Sequence, residues 1–115
     1  MHEISVAAAL MRRVLAEKEA RKIVRVSRIV LQIGPMSGIM PEALQFAYDS
    51  LRQGTLLEET ELVFNSTELT TCCCRCMHRF DTRLMHTHCP RCGSDKLEIM
   101  GGDDFFIQYL VTEKE

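Results

Sequence analysis

The strongest pattern in the sequence lies in residues 72–93, which read CCCRCMHRFDTRLMHTHCPRCG and hold all six cysteines of the chain. Two C-x2-C pairs stand out, Cys73 with Cys76 and Cys89 with Cys92. Each such pair presents two thiolates from one tight turn whose backbone N–H groups point at the sulfurs, and two pairs complete a tetrahedral shell for zinc. The spacing therefore predicts a closed, structural zinc site with these four cysteines as ligands.

Three adjacent cysteines compete for the first ligand position, because Cys72, Cys73 and Cys74 all precede Cys76. Only Cys73 gives the usual spacing, so we expect the other two to be spare thiols, on the opposite face if a strand leads into the turn. Iron in the same shell, disulfides, and a C-x2-C redox pair are the alternatives. We favour zinc, because a reducing compartment is expected and two pairs weaken the redox interpretation.

Three histidines, His78, His86 and His88, lie close to the cysteine pairs. They could replace a cysteine ligand or bind a second metal, and histidine is the side chain that changes charge near neutral pH, which suits a pH sensor. Solvated side chains without a function are the simpler expectation for histidines in a loop.

On either side of the cysteine block, hydrophobic periodicity predicts two helices and three strands. Apolar residues recur at helical spacing after Ile4 and after Pro41, and β-branched and aromatic residues dominate the three strands. The predicted elements are a helix from Ile4 to near Arg21, a strand over 22–33, a helix from Pro41 that stops at Gly54, and strands over 61–69 and 105–111.

This order of elements predicts an α+β fold, a small three-stranded sheet with two helices and a zinc-ribbon-like unit inserted before the last strand. We place the domain boundaries at 1–67 plus 101–115 for the α/β domain and at 68–100 for the zinc-binding insert. The insert is too short to bury a core, so the metal is expected to hold it together. The adjacent glycines Gly101 and Gly102 are expected to form a joint at which the insert moves.

Composition and charge narrow the classes of function. The 115 residues are 46% hydrophobic and 26% charged, a composition typical of one small globular domain. The formal net charge of −2 gives no overall positive potential that would attract a polyanion. No apolar run approaches the ~20 residues of a transmembrane helix, and the N-terminus does not resemble a signal peptide, so we expect a cytoplasmic protein without a membrane partner. No nucleophile–base pair or phosphate loop appears, so we expect no enzymatic activity.

The N-terminus, Met1-His2-Glu3, is a candidate chelating unit. The free amine, the backbone amide nitrogen of His2 and its imidazole can close fused rings on one metal ion, and such nitrogen donors suit Ni(II) or Cu(II) in planar geometry. Glu3 adds a carboxylate. Taken alone the pattern is weak, since exposed polar termini usually have no function.

The whole chain resembles the HypA/HybF family of hydrogenase nickel-maturation proteins. The resemblance rests on Met1-His2-Glu3 before an amphipathic helix, a strand ending in Ile33-Gly34, a helix led by Pro41, and two C-x2-C pairs before a final strand. It implies a nickel metallochaperone with an α/β nickel domain and a structural zinc domain. By this resemblance His2 is the nickel ligand, with the Met1 amine and Glu3 beside it. The matching zinc ligands are Cys73, Cys76, Cys89 and Cys92.

The resemblance also implies the partners. These are a nickel-inserting GTPase of hydrogenase maturation and the large subunit of a [NiFe] hydrogenase, with urease maturation in some members. A weak homodimer is also possible.

The alternative function is that of a zinc-ribbon module that binds nucleic acid or protein. Residues 68–100 carry almost balanced charge and only one aromatic residue, Phe80. Phosphate binding needs a clear excess of positive charge, and base stacking needs several exposed aromatic side chains. We therefore expect no nucleic acid partner. An electron-transfer protein would instead hold iron in the four-cysteine site.

Overall fold

The computed structural model describes residues 3–66, 69–82 and 87–114. Within these residues the chain forms two α-helices and six β-strands. The helices are α1 (Glu3–Ala20) and α2 (Pro41–Leu51). The strands are β1 (Ile23–Ile33), β2 (Glu61–Ser66), β3 (Thr70–Cys73), β4 (Arg79–Asp81), β5 (Leu97–Met100) and β6 (Phe105–Lys114). No helix in this part of the chain is long and apolar enough to cross a membrane.

β1 is the centre of the first sheet, whose strand order is β2-β1-β6. β2 runs parallel to β1, with Arg28 opposite Glu61 and Ile33 opposite Ser66, and α2 lies in the crossover that a parallel pair needs. β6 returns antiparallel to β1 from the far side of the cysteine block. This arrangement confirms the predicted α+β class, a three-stranded sheet with two helices and a zinc-ribbon-like insertion.

The length of β1 limits the pairing of its neighbours. β2 is described as far as Ser66, which lies opposite the end of β1 at Ile33; the predicted strand ran on to residue 69, and residues 67 and 68 lie outside the described residues. β6 runs on to Lys114, three residues further than predicted, because β1 begins at Ile23 and this residue lies opposite Lys114. The end of β6 therefore follows from pairing rather than from local sequence.

The hydrophobic core lies between the two helices and one face of the first sheet. Ile29 and Leu31 enter it from β1, and Val14, Leu44 and Tyr48 enter it from the helices. All five side chains are fully buried, and burying a side chain of this size is worth roughly 1.5–3 kcal/mol. β1 therefore stabilises this unit in two ways: it pairs with β2 and β6, and it contributes buried side chains to the core.

A buried polar network fixes the connection between α2 and β2. The Tyr48 hydroxyl and the Arg52 guanidinium both donate to the carbonyl oxygen of Thr60, each at 2.7 Å. The Thr60 hydroxyl in turn donates to the carbonyl oxygen of Val26 at 2.6 Å. Burial raises the pKa of Tyr48, which keeps its hydroxyl protonated as a donor. Because buried polar groups need partners, these bonds hold the start of β2 beside β1.

The second sheet, β4-β3-β5, lies in the cysteine region and is antiparallel throughout. Its strands are three or four residues long. Sequence analysis did not predict them, because so short a run shows no clear periodicity. We call the described residues between 69 and 100 the four-cysteine lobe, and α1, α2 and the first sheet the body. The division into domains at 1–67 plus 101–115 and at 68–100 stays a prediction.

The molecule is elongated. Its extents are 56 × 30 × 18 Å and its Cα radius of gyration is 18.6 Å, whereas a compact domain of this length would have a radius of gyration of about 13 Å. The four-cysteine lobe therefore extends away from the body, to which it is joined by two chain segments.

Candidate metal centre

The structure brings together the four cysteines of the two C-x2-C pairs. The sulfur atoms of Cys73, Cys76, Cys89 and Cys92 all lie within 4.8 Å of one another. The Cys73–Cys92 and Cys76–Cys89 sulfur pairs are each 3.6 Å apart. A tetrahedral zinc ion with Zn–S bonds of ~2.3 Å holds its sulfurs about 3.8 Å apart. The cluster therefore has the size that a tetrahedral metal ion requires.

Each cysteine turn directs two backbone N–H groups at the sulfur of its first cysteine. In the first turn, the N–H groups of Arg75 and Cys76 donate to the Cys73 sulfur, both at 3.4 Å. The second turn repeats this arrangement around the Cys89 sulfur, at 3.4 and 3.5 Å. Hydrogen bonds of this kind stabilise the charged form of an acceptor. Both turns are therefore built to hold a thiolate.

The residue after each pair closes its turn in the left-handed backbone region. Met77 has φ 65° and Gly93 has φ 79°, and their N–H groups donate to the carbonyl oxygens of Cys73 and Cys89, both at 2.9 Å. Glycine adopts this conformation freely, whereas a side chain makes it costly. The first turn therefore carries a backbone cost that the second turn avoids.

The thiols of the cluster differ in acidity. The N–H of Cys76, followed by that of Arg75, lowers the pKa of Cys73 to about 6. The pKa of Cys76 is raised to about 12, because burial and hydrogen bonds with the neighbouring thiols outweigh the N–H of His78, which lowers it. Burial raises the pKa of Cys89, but the N–H groups of its own turn outweigh this and the net shift is downward. A cation that binds here must therefore displace protons, and binding weakens as pH falls.

The donor set fits a tetrahedral, thiol-seeking metal ion. Cys73 and Cys89 are buried and Cys92 is exposed, so one side of the shell is closed off from water by the lobe itself. Zinc and iron both accept four thiolates in this geometry. Four protein ligands complete the shell, which leaves no position for a substrate and points to a structural role.

The two remaining cysteines lie outside the cluster. Cys72 is buried, and its sulfur donates to the carbonyl oxygen of Cys73 at 3.7 Å. Cys74 is exposed, with its sulfur 3.8 Å from the Glu98 carboxylate. Partial desolvation and the negative charge of Glu98 raise the pKa of Cys74, so its thiol stays protonated. Neither sulfur is placed to act as a ligand of the cluster.

Two of the three candidate histidines lie in the described part of the lobe. His78 stacks on Phe80 with ring centroids 5.9 Å apart, and His88 is exposed, with Nδ1 3.0 Å from the Thr87 hydroxyl. Neither belongs to the cluster of four sulfurs. His86 lies outside the described residues.

Of the predicted nickel-binding residues, Met1 and His2 lie outside the described residues. Glu3 begins α1, and its carboxylate accepts a hydrogen bond from the backbone N–H of Met40 at 3.4 Å. Met40 is the N-cap residue of α2, so Glu3 lies where the starts of the two helices meet. Sequence analysis missed this contact, because it joins residues far apart in the chain through a main-chain group that no motif marks.

Comparison with known proteins gives a consistent result over the full length. The model of a family described as hydrogenase/urease nickel incorporation, metallochaperone, hypA, matches residues 1–112. The chain is 36% identical over 115 residues to the hydrogenase maturation factor HypA of Chlorobium luteolum, covering 100% of this chain and 98% of that protein. It is 32% identical over 115 residues to the protein of the same name in Aquifex aeolicus, covering 98% of each.

Two solved structures share the fold. The solution structure of the Ni metallochaperone HypA from Helicobacter pylori has a TM-score of 0.66 and 23% sequence identity, with 100% of both chains covered. The solution structure of a second HypA protein has a TM-score of 0.73 and 22% identity, covering 100% of this chain and 98% of that one. The family match and the curated relatives confirm the resemblance drawn from the N-terminal tripeptide and the cysteine pairs. The chain therefore belongs to the HypA family of metallochaperones, which serve nickel incorporation into hydrogenase and urease.

Proposed function

We propose that this protein is a cytoplasmic nickel metallochaperone of [NiFe] hydrogenase maturation. It binds Ni(II) at its N-terminus and delivers the ion, while a zinc ion in the four-cysteine site holds the lobe together. The observation that carries the proposal is the family match over residues 1–112, because that region includes both Met1-His2-Glu3 and the four cysteines. The protein acts as a carrier and not as an enzyme.

Nickel is the cargo, and the N-terminal residues supply its donors. The Met1 amine, the backbone amide nitrogen and imidazole of His2, and the neighbouring Glu3 offer nitrogen-rich coordination, which Ni(II) accepts in planar geometry. A site at a chain end needs no deep cavity and can release its ion to a partner. Binding needs a free amine and a neutral imidazole, so nickel affinity falls as the solution becomes acidic.

Zinc is the resident ion of the four-cysteine site. The donor set of Cys73, Cys76, Cys89 and Cys92, with sulfur spacings close to those of a tetrahedral shell, supports this assignment. In the lobe the bound ion replaces the hydrophobic core that so short a segment cannot form.

The partners are a nickel-inserting GTPase of hydrogenase maturation and the large subunit of a [NiFe] hydrogenase; nucleic acid and membranes are not partners. The relatives from Chlorobium luteolum and Aquifex aeolicus are both hydrogenase maturation factors by name. Arg12 and Arg13 are exposed on α1, and a positive surface of this kind favours encounter with an acidic partner.

The test of this proposal is the titration of nickel into protein with its native N-terminus. We expect His2→Ala, and separately one extra residue ahead of Met1, each to weaken nickel binding more than about tenfold, since even a residue that only orients a metal ligand contributes that much. Isothermal calorimetry measures the affinity, and metal analysis should show unchanged zinc.

The matched control is His88→Ala, which removes an exposed histidine outside the sulfur cluster and should leave nickel affinity unchanged. Native-like nickel binding by both N-terminal variants would contradict the proposed site.

A further inference from the structure

The four cysteines of the cluster differ in their access to solvent. Cys73 and Cys89 are 0% and 3% exposed. Cys76 is half-buried, and Cys92 is exposed. A small molecule in solution therefore reaches the metal shell most directly at Cys92.

Backbone hydrogen bonds separate Cys92 from the two buried cysteines in the same way. Two N–H groups donate to the sulfur of Cys73, and two donate to that of Cys89. Within residues 3–66, 69–82 and 87–114, no backbone N–H donates to the sulfur of Cys92. A thiolate that is stabilised by hydrogen bonds is a weaker nucleophile. Cys92 therefore combines access to solvent with a sulfur that its own turn does not stabilise.

The sulfur of Cys92 also has a neighbour in the other cysteine turn. It lies 3.6 Å from the sulfur of Cys73, and the sulfurs of Cys76 and Cys89 form a second pair at the same distance. A disulfide bond is ~2.0 Å long, so each pair needs only a small shift to form one. The shortest sulfur contacts of the cluster therefore join the two turns to each other.

We propose that Cys92 is an oxidation site for peroxides, and that its oxidation ends in a disulfide with Cys73 and the release of zinc. This inference rests on the proposed function, since it takes zinc as the resident ion of the site. Zinc binds thiolates, so the bound ion keeps the sulfurs deprotonated. The thiolate is also the form of cysteine that peroxides oxidise.

The reaction has two steps and consumes one molecule of hydrogen peroxide. In the first step the sulfur of Cys92 attacks a peroxide oxygen, the O–O bond breaks, and hydroxide leaves while the sulfur becomes a sulfenic acid. In the second step the thiolate of Cys73 attacks this sulfur, the S–S bond forms, and a second hydroxide leaves. The two cysteines have then lost the two electrons that the peroxide gained.

Zinc is lost because the oxidised site has too few thiolates. Only Cys76 and Cys89 remain as donors, whereas a structural zinc site needs four. A second peroxide can join this pair in the same way. The lobe then changes from a form that zinc holds together to a form that disulfides between its two turns hold together. Thiol–disulfide exchange with a reductant restores the cysteines, so the change is reversible.

The test treats the full-length, zinc-loaded protein with one equivalent of hydrogen peroxide. A chromogenic chelator measures released zinc, and a cyclic dione that traps sulfenic acid marks the sulfur that is oxidised first. Trypsin cuts after Arg75 and Arg91, so the two cysteines of each turn fall in different peptides for mass spectrometry. We expect the dione on Cys92 and, without the trap, a Cys73–Cys92 disulfide that forms as zinc is released. Dithiothreitol and added zinc should restore one zinc per chain.

Cys92→His tests the sulfur while keeping a ligand, because a histidine nitrogen also binds tetrahedral zinc. We expect this variant to hold zinc and to release it under peroxide at least about tenfold more slowly than the native protein, since oxidation follows thiolate character and exposure. The matched control is Cys74→Ala, because Cys74 is equally open to solvent but lies outside the cluster. Its zinc release should stay within about twofold of native.

Several results would overturn the inference while leaving the zinc assignment intact. These are a first label on one of the other three ligands, disulfides formed within each turn, native-like zinc release by Cys92→His, or equal protection by Cys74→Ala. If Cys92→His holds no zinc, the label and the disulfide map of the native protein decide the question alone. A native protein without zinc would overturn the zinc assignment as well.

Discussion

Cys76→Ala is expected to abolish zinc binding and to unfold the four-cysteine lobe. The sulfur of Cys76 lies 3.6 Å from that of Cys89, so its removal leaves three thiols for an ion that needs four. Structural zinc in small modules contributes apparent binding free energies on the order of 10 kcal/mol. The strands of the lobe are only three or four residues long, so their hydrogen bonds cannot make up for this loss. Metal analysis should give a stoichiometry near zero, and the lobe amide signals in NMR spectra should collapse.

The neighbouring cysteines provide the controls for this experiment. Cys74→Ala removes an exposed thiol, and Cys72→Ala removes a buried thiol outside the cluster. Both variants should keep one zinc per chain. If Cys72→Ala lost zinc while Cys73→Ala retained it, the ligand assignment would be wrong. Circular dichroism at helical wavelengths should barely change in any of these variants, since α1 and α2 both lie in the body.

Leu31→Ala is expected to have the complementary effect, a large loss of stability in the body with zinc retained. Leu31 is fully buried on β1 between the helices and the sheet, and truncating such a leucine costs about 2–5 kcal/mol. A domain of this size has only about 5–15 kcal/mol of stability to lose. Urea unfolding followed by helical circular dichroism should show the midpoint shifted down, while zinc stoichiometry in the absence of urea stays at one.

Val24→Ala is the matched control, because Val24 lies on the same strand but is 52% exposed. The Val24→Ala substitution should change the free energy of unfolding by no more than roughly 0.5 kcal/mol. This pair of variants also tests the division into two domains. If zinc release and loss of helical signal occurred at the same urea concentration in every variant, the body and the lobe would form one cooperative unit and the predicted boundaries would be wrong.

Sequence reasoning succeeded where local chemistry and periodicity decide the structure. The alternation of Ile29, Leu31 and Ile33 marks β1 without reference to any other element, and Pro41 marks the start of α2 because its fixed φ and missing N–H suit the first helical turn. The C-x2-C spacing is equally local, since each turn needs only four residues. These features predicted the helices and strands of the body in their order, and they single out the four cysteines whose sulfurs the structure brings together.

Features that depend on distant parts of the chain could not be predicted in this way. The end of β6 depends on the length of β1, and the short strands of the lobe form because the cysteine turns bring them together. Gly34 looks like an ordinary turn glycine, although a Cβ atom there would overlap the backbone of Gly102, and a Cβ atom at Gly102 would overlap the side chain of Leu69. The hydrogen bond between Glu3 and Met40 likewise appears only when the starts of both helices are placed side by side.

The antiparallel pairing of β1 with β6 has a consequence for the order of folding. About 70 residues separate the end of β1 from the start of β6, and the entropy lost in closing such a loop grows with the logarithm of its length, by about 0.6 kcal/mol for each doubling. If the proposed zinc ion folds the lobe, Leu69 lies against Gly102, and the residues between them no longer lengthen the loop. The effective loop is then roughly halved, which corresponds to about threefold faster closure at room temperature. We therefore expect a newly made chain that binds zinc early to complete its central sheet sooner, so that the edge of β1 is open to other chains for less time.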